Sequence, residues 1–156
     1  MICDSPAGIE RGAILAMRHA DAAIIVTNPE ISSVRDSDRI IGMLDSKTEK
    51  AERGERIDKH LLITRYDAVR AARGEMLSID DVLEILSTPL LGIIPESEDV
   101  LRASNVGSPV TLCDQSSAPA RAYIDAARRL QGEDIAMTIP SSKKGLLNKL
   151  FGRRAA

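Results

Sequence analysis

Apolar residues gather in three short runs that do not alternate with polar ones: AAIIVTN at 22–28, HLLITRY at 60–66 and PLLGIIPE at 89–96. Continuous apolar runs of this length fit strands buried on both faces of a parallel sheet. A fourth run, MIC at 1–3, is only a stub. Helical spacing fills the intervals. Ile9, Ala13, Ala16 and Met17 share one face, and Ile31, Val34, Ile41 and Leu44 share another after Asn28-Pro29. Ser78 precedes Ile79, Val82, Leu83 and Leu86, with Asp81 placed as in a capping box. Ser97 is positioned to cap a short helix carrying Val100 and Leu101. APARAYIDAARRL at 118–130 predicts a closing helix with Ile124, Ala127 and Leu130 turned inward. The charged stretch 46–58 is expected to be a solvated loop or helix end, and 132–142 a flexible linker. Strand–helix alternation predicts an α/β domain with a mostly parallel sheet.

Composition narrows this picture. A chain of 156 residues suits one compact domain plus a tail. Aromatics make up 2% and Trp is absent, so the core must rest on Ile, Leu, Val and Ala. Charge is unevenly placed: five cations and no acid follow Ser142, so that with a net charge of −2 residues 1–142 carry −7. An acidic body argues against nucleic-acid binding, which needs a basic face for phosphates. Cys3 and Cys113 have no metal or redox spacing, and neither histidine lies in a ligand pattern. No apolar run approaches the roughly 20 residues that span a bilayer, and no signal peptide is evident, so a soluble, cytoplasmic protein is expected.

Candidate chemistry sits at strand ends. Asp4 follows the MIC stub and leads into Ser5-Pro6-Ala7-Gly8. Open α/β sheets bind ligands at the carboxyl ends of their strands, and an aspartate there can help hold Mg2+ in phosphoryl transfer. A strand-end Asp capping the next helix fits the stretch equally well. Thr27 and Asn28 would lie nearest the phosphates of a nucleotide, and Thr64, Arg65, Pro95 and Glu96 farther along the edge, where a base could rest. Taken singly, each reads as an ordinary strand-terminal residue; they count as a set. No G-x-x-x-x-G-K-[ST] phosphate loop occurs in the sequence.

Six stretches together resemble the ParA/MinD family of deviant Walker-type P-loop ATPases: ICDSPAGIERGA, VTNPEISSVRDSDRIIG, LLITRY, EMLSIDDVLEIL, GIIPESEDVLRASNVGSPV and KKGLLNKLFGRR. The basic tail resembles the septum-positioning branch more than the plasmid- and chromosome-partitioning one. The resemblance covers nearly the whole chain, but only as a C-terminal portion. A complete relative is expected to carry on the order of a hundred further residues, beginning with the phosphate loop. It implies an incomplete P-loop NTPase-like three-layer fold without the phosphate-loop strand. That strand would lie beside AAIIVTN, so Ile24 and Val26 are expected to lose neighbours on one side and form an aggregation template. By position, Asp4 corresponds to the magnesium-associated aspartate and Ser5 to Gly8 to the second switch. Asp36 and Asp38 correspond to a helix where dimer and partner surfaces meet. The cofactors implied are ATP and Mg2+. The partners implied are a second copy in an ATP-dependent homodimer, the division inhibitor MinC and the activator MinE.

The tail has a pattern of its own. On a helix, Leu146, Leu147, Leu150 and Phe151 form one stripe, flanked or opposed by Lys143, Lys144, Lys149 and Arg153. Such a helix is too short to span a membrane but suits an anionic surface, the inner face of the bacterial cytoplasmic membrane in the resembling family. A disordered basic tail or a groove-binding helix remain alternatives. The expected organisation is an ATPase-like part at 1–131, a linker at 132–142 and an amphipathic helix at 143–154. The competing reading is a non-catalytic peripheral membrane-binding module on an ATPase-like scaffold.

Overall fold

The computed structural model describes residues 1–5 and 11–141. Among these, α1 (Arg11–Arg18) precedes β1 (Ala22–Thr27), α2 (Ile31–Lys47), α3 (Glu49–Glu52) and β2 (Asp58–Tyr66). Then come α4 (Ala68–Ala72), α5 (Ile79–Leu86), β3 (Leu90–Pro95), α6 (Glu98–Asn105), α7 (Val110–Cys113) and α8 (Ala118–Leu130). The three strands pair in parallel in the order β1-β2-β3. Residues 1–5 form no strand.

Two layers of packing hold the sheet. Ile25, Leu61, Ile63 and Ile93 point to one face and join Val34 and Leu44 of α2 and Val82 and Leu86 of α5 in the main core. Leu62, Leu91 and Ile94 meet α8 at Ala126, with Ala122 and Tyr123 packed alongside. Ser78 caps α5 in a reciprocal box: its hydroxyl accepts from Asp81 N–H at 3.1 Å, and its own N–H donates to Asp81 at 2.9 Å.

Several expectations change in three dimensions. The inward face of α8 is Pro119, Ala120 and Ala126, not Ile124, Ala127 and Leu130; Leu130 is 42% exposed. Small residues are needed there because the helix lies directly on Gly92 of β3. The charged stretch 46–58 is anchored at both ends, by Thr48, a fully buried cap of α3, and by Ile57 in the core. Ile31, whose spacing places it on one face with Val34, Ile41 and Leu44, is exposed at the start of α2, and Leu101 is exposed on α6. β1 is not buried on both faces: Ile24 and Val26 are 45% and 59% exposed, the open side anticipated for these two residues. Beyond α8, Arg129 donates to the carbonyls of Ile135 and Ala136 at 2.8 Å, and Met137 packs on the main core.

Two irregularities matter for the edge of the sheet. Leu61 pairs with Leu90 but Leu62 with Gly92, which leaves Leu91 as an extra residue on β3. Its carbonyl accepts from Arg129 at 2.9 Å, so the group released from the ladder stays paired. Nearer the carboxyl end, Ile63 pairs with Ile93 and Tyr66 with Pro95, so β2 carries one extra residue around Thr64 and Arg65.

Candidate functional site

The strand ends meet as the sequence suggested. Thr64 Oγ1 donates to the Asn28 side-chain oxygen at 2.9 Å and joins the end of β2 to that of β1. Thr27 is buried, and its hydroxyl donates to the Asn28 carbonyl at 3.2 Å. One step along the edge, Arg65 Nη donates to Glu96 Oε1 at 3.4 Å, which ties β2 to the segment after β3. The Glu96 N–H donates to the Tyr66 carbonyl at 3.0 Å and continues the pairing past Pro95.

Thr64, Arg65, Pro95 and Glu96 line a single cavity of about 440 Å3. Ile94, Val100 and Tyr123 supply apolar lining, and Ser97 and Ser104 supply hydroxyls. An apolar recess with a few convergent polar groups, of this size, suits a planar ligand such as a base. Burial raises the Tyr123 phenol above its ordinary range, so it stays neutral at physiological pH. Sequence reasoning missed Tyr123 and Ser104: both belong to helices that reach the cavity only through tertiary packing. Ser97 was noted, but as a cap, which it also is, accepting from Asp99 N–H at 3.1 Å.

Arg65 has φ +56°, the left-handed region. For a residue with a Cβ this costs about 1–2 kcal/mol. An extra strand residue in this conformation is usually glycine. Here an arginine occupies it, beside the cavity.

The other candidates are scattered. Asp4 is exposed and lies just before a stretch outside the described residues, which includes Gly8. Among the described residues no group of three or more His, Cys, Asp or Glu could hold a metal ion. A single carboxylate is nevertheless compatible with Mg2+, which often takes one or two carboxylates and completes its shell with phosphate and water. Asp36 and Asp38 are exposed on α2, and Asp36 pairs with Arg39 at 3.4 Å. The tail residues Lys143, Lys144, Leu146, Leu147, Lys149, Leu150, Phe151 and Arg153 lie outside the described residues. A smaller cavity of about 230 Å3, lined by Asp99, Arg102, Val110 and Cys113 among others, contains none of the sequence-indicated site residues.

No family model matches the chain. A septum site-determining protein MinD from Neisseria meningitidis serogroup B is 56% identical over 153 residues, 97% of this chain. The chain belongs to the MinD family. It spans about 56% of that relative's length and fits a C-terminal portion of the family. Solved MinD structures share its fold. The MinC:MinD cell division complex of Aquifex aeolicus matches 87% of the chain and 53% of its own, at TM-score 0.77 and 42% identity. MinD complexed with Mg-ADP from Pyrococcus horikoshii matches 81% of the chain and 48% of its own, at TM-score 0.66 and 28% identity. The three-stranded parallel sheet with its helices is thus a portion of the MinD-type P-loop ATPase fold.

Proposed function

We propose that the chain forms the base-side and partner-side portion of a MinD-type ATPase that acts in bacterial division-site placement. The observation that carries this reading is the 56% identity over 97% of the chain. The geometry supports it, because residues from two strand ends that the sequence marked for a base line one cavity.

In this reading Thr64, Arg65, Pro95 and Glu96 hold the base, and Thr27 and Asn28 lie toward the phosphates. Asp4 contributes its carboxylate to the Mg2+ shell, and Gly8 belongs to the switch that follows it. Bound MgATP supplies the phosphoryl group transferred to water, and the chain's own residues bind, orient and exclude solvent. The exposed acids Asp36 and Asp38 on α2 form part of the surface for a second copy and for MinC and MinE. The 143–154 segment attaches reversibly to the inner face of the cytoplasmic membrane, and 132–142 connects it to the body.

A chimera tests this. Residues 1–156 replace the corresponding portion of the Neisseria relative, which retains its own remaining sequence. ATP hydrolysis and MinC retention by the chimera are expected. A folded chimera that does neither rules the reading out in favour of a non-catalytic membrane-binding module. That alternative draws on one observation, the absence of a G-x-x-x-x-G-K-[ST] loop from these 156 residues. For the same reason the chain alone should show no measurable turnover.

A further inference from the structure

The chain does not leave the body where α8 ends. Gly132, at φ +89°, closes the helix: its N–H donates to the Arg129 carbonyl at 2.9 Å and the Glu133 N–H to the Arg128 carbonyl at 3.1 Å, the paired bonds of a Schellman turn. The Glu133 carboxylate accepts from Arg128 Nε at 2.8 Å and holds the turn from outside. Arg129 then engages three carbonyls with one guanidinium. Nη1 donates to Leu91 at 2.9 Å, and Nε and Nη2 donate to Ile135 and Ala136 at 2.8 Å each. α8 lies on one face of the sheet, while Met137 packs on the main core at the other. Residues 132–137 therefore pass from face to face beside β3, tied to it at the extra residue Leu91.

We propose that Arg129 is a clasp that roots the C-terminal segment on β3 and shortens the tether ahead of residues 143–154. The consequence for membrane attachment rests on the membrane reading above; the clasp itself does not. With 132–137 held, the connecting length is the five residues 138–142; with the clasp open it is the eleven residues 132–142. At about 3.5 Å per extended residue these reach about 18 Å and about 38 Å. A guanidinium suits the task because its fork of fixed donors meets carbonyls from two segments at once, whereas the ammonium of lysine is a compact point on a flexible stem. Met137 fastens the far end, its partly buried side chain filling a place against the main core. A short tether keeps the body near the surface that its tail binds. In two joined copies it also raises the effective concentration of the second tail.

The test uses the 156-residue chain with Cys3→Ser and Ser141→Cys, so that spin labels sit on exposed Cys113 in the body and at exposed position 141. The parent should give one narrow distance by pulsed electron paramagnetic resonance. Arg129→Ala and Met137→Ser should each broaden it. Met137→Ser leaves the Arg129–Leu91 bond in place and serves where Arg129→Ala fails to fold. Ser78→Ala, whose lost bonds are to Asp81 and not to the clasp, controls for general loosening and should keep the parent distribution. A second measurement places a donor dye on Cys113 alone and an acceptor on vesicles of phosphatidylglycerol and phosphatidylethanolamine. At equal bound fraction, energy transfer should fall about twofold in Arg129→Ala and Met137→Ser, as the reach of the tether doubles. A parent distribution as broad as the variants', or equal broadening in Ser78→Ala, overturns the clasp. Equal transfer by bound parent and variants overturns its effect on the tether. No vesicle binding by the parent overturns the membrane reading and the tether role with it, while the spin-label distances still decide the clasp.

Discussion

The Cβ that Gly92 lacks would stand 3.0 Å from the Cβ of Ala126 and 3.2 Å from Leu62 Cδ1. β3 and α8 are therefore as close as two backbones with one methyl between them allow. Gly92→Ala should cost about 1–3 kcal/mol by overpacking, and Gly92→Val more. Denaturant unfolding checks this; an alanine variant as stable as the parent would show that α8 can retreat without loss.

At the start of α5 the reciprocal bonds of Ser78 and Asp81 satisfy two otherwise orphaned N–H groups. Ser78→Ala should cost about 0.5–2 kcal/mol. The side-chain bond from Ser78, then its backbone bond, hold the Asp81 carboxyl below its ordinary value. A lowered native pKa stabilises the fold above the unfolded value and loses that contribution as pH falls through the native one. Acid titration should thus show parent and Asp81→Asn converging below about pH 4. A stability difference unchanged from pH 7 to pH 2.5 would count against the box.

Tyr66 behaves oppositely. Burial, followed by the charges of Asp80 and Asp67, raises its phenol above the ordinary tyrosine value. A raised native pKa contributes stability that is complete below about pH 10 and lost as pH rises through the native value. Tyr66→Phe should lose less stability than the parent between pH 9.5 and 11.5, as followed by circular dichroism. Identical alkaline profiles would contradict this assignment.

β1 is an edge strand whose Ile24 and Val26 face solvent. An apolar unpaired edge templates association. The chain should therefore self-associate with rising concentration. Val26→Lys should reduce that association with little cost in stability, because the side chain is already 59% exposed. Sedimentation velocity distinguishes the two; equal association of parent and variant would place the contact elsewhere.

For the tail, each apolar side chain could contribute about 1.5–3 kcal/mol on burial, and each cation near anionic lipid about 1 kcal/mol. If the tail attaches as proposed, ordering it as a helix would offset much of this, so one tail should bind weakly and two joined copies far better. Leu147→Glu or Phe151→Glu should abolish cosedimentation with anionic vesicles, and Lys149→Glu should weaken it and its salt dependence. Binding of Leu147→Glu equal to the parent would exclude an interfacial helix.

The sequence by itself determined the strands, the main helices and the set of polar strand ends, because each depends on local apolar runs, caps or parallel-sheet logic. It could read Ser78–Asp81 as a box since the four residues involved are contiguous. It could not read which face of α8 turns inward, because Ala126 is chosen by the proximity of Gly92, 34 positions away in sequence. Nor could it bring Tyr123 to the cavity or give Arg65 its left-handed backbone. The helical period tolerates several inward faces, and a strand residue's φ depends on register with a partner strand. Only packing of α8 on β3, and the unequal count of residues between Ile63–Ile93 and Tyr66–Pro95, decided those positions.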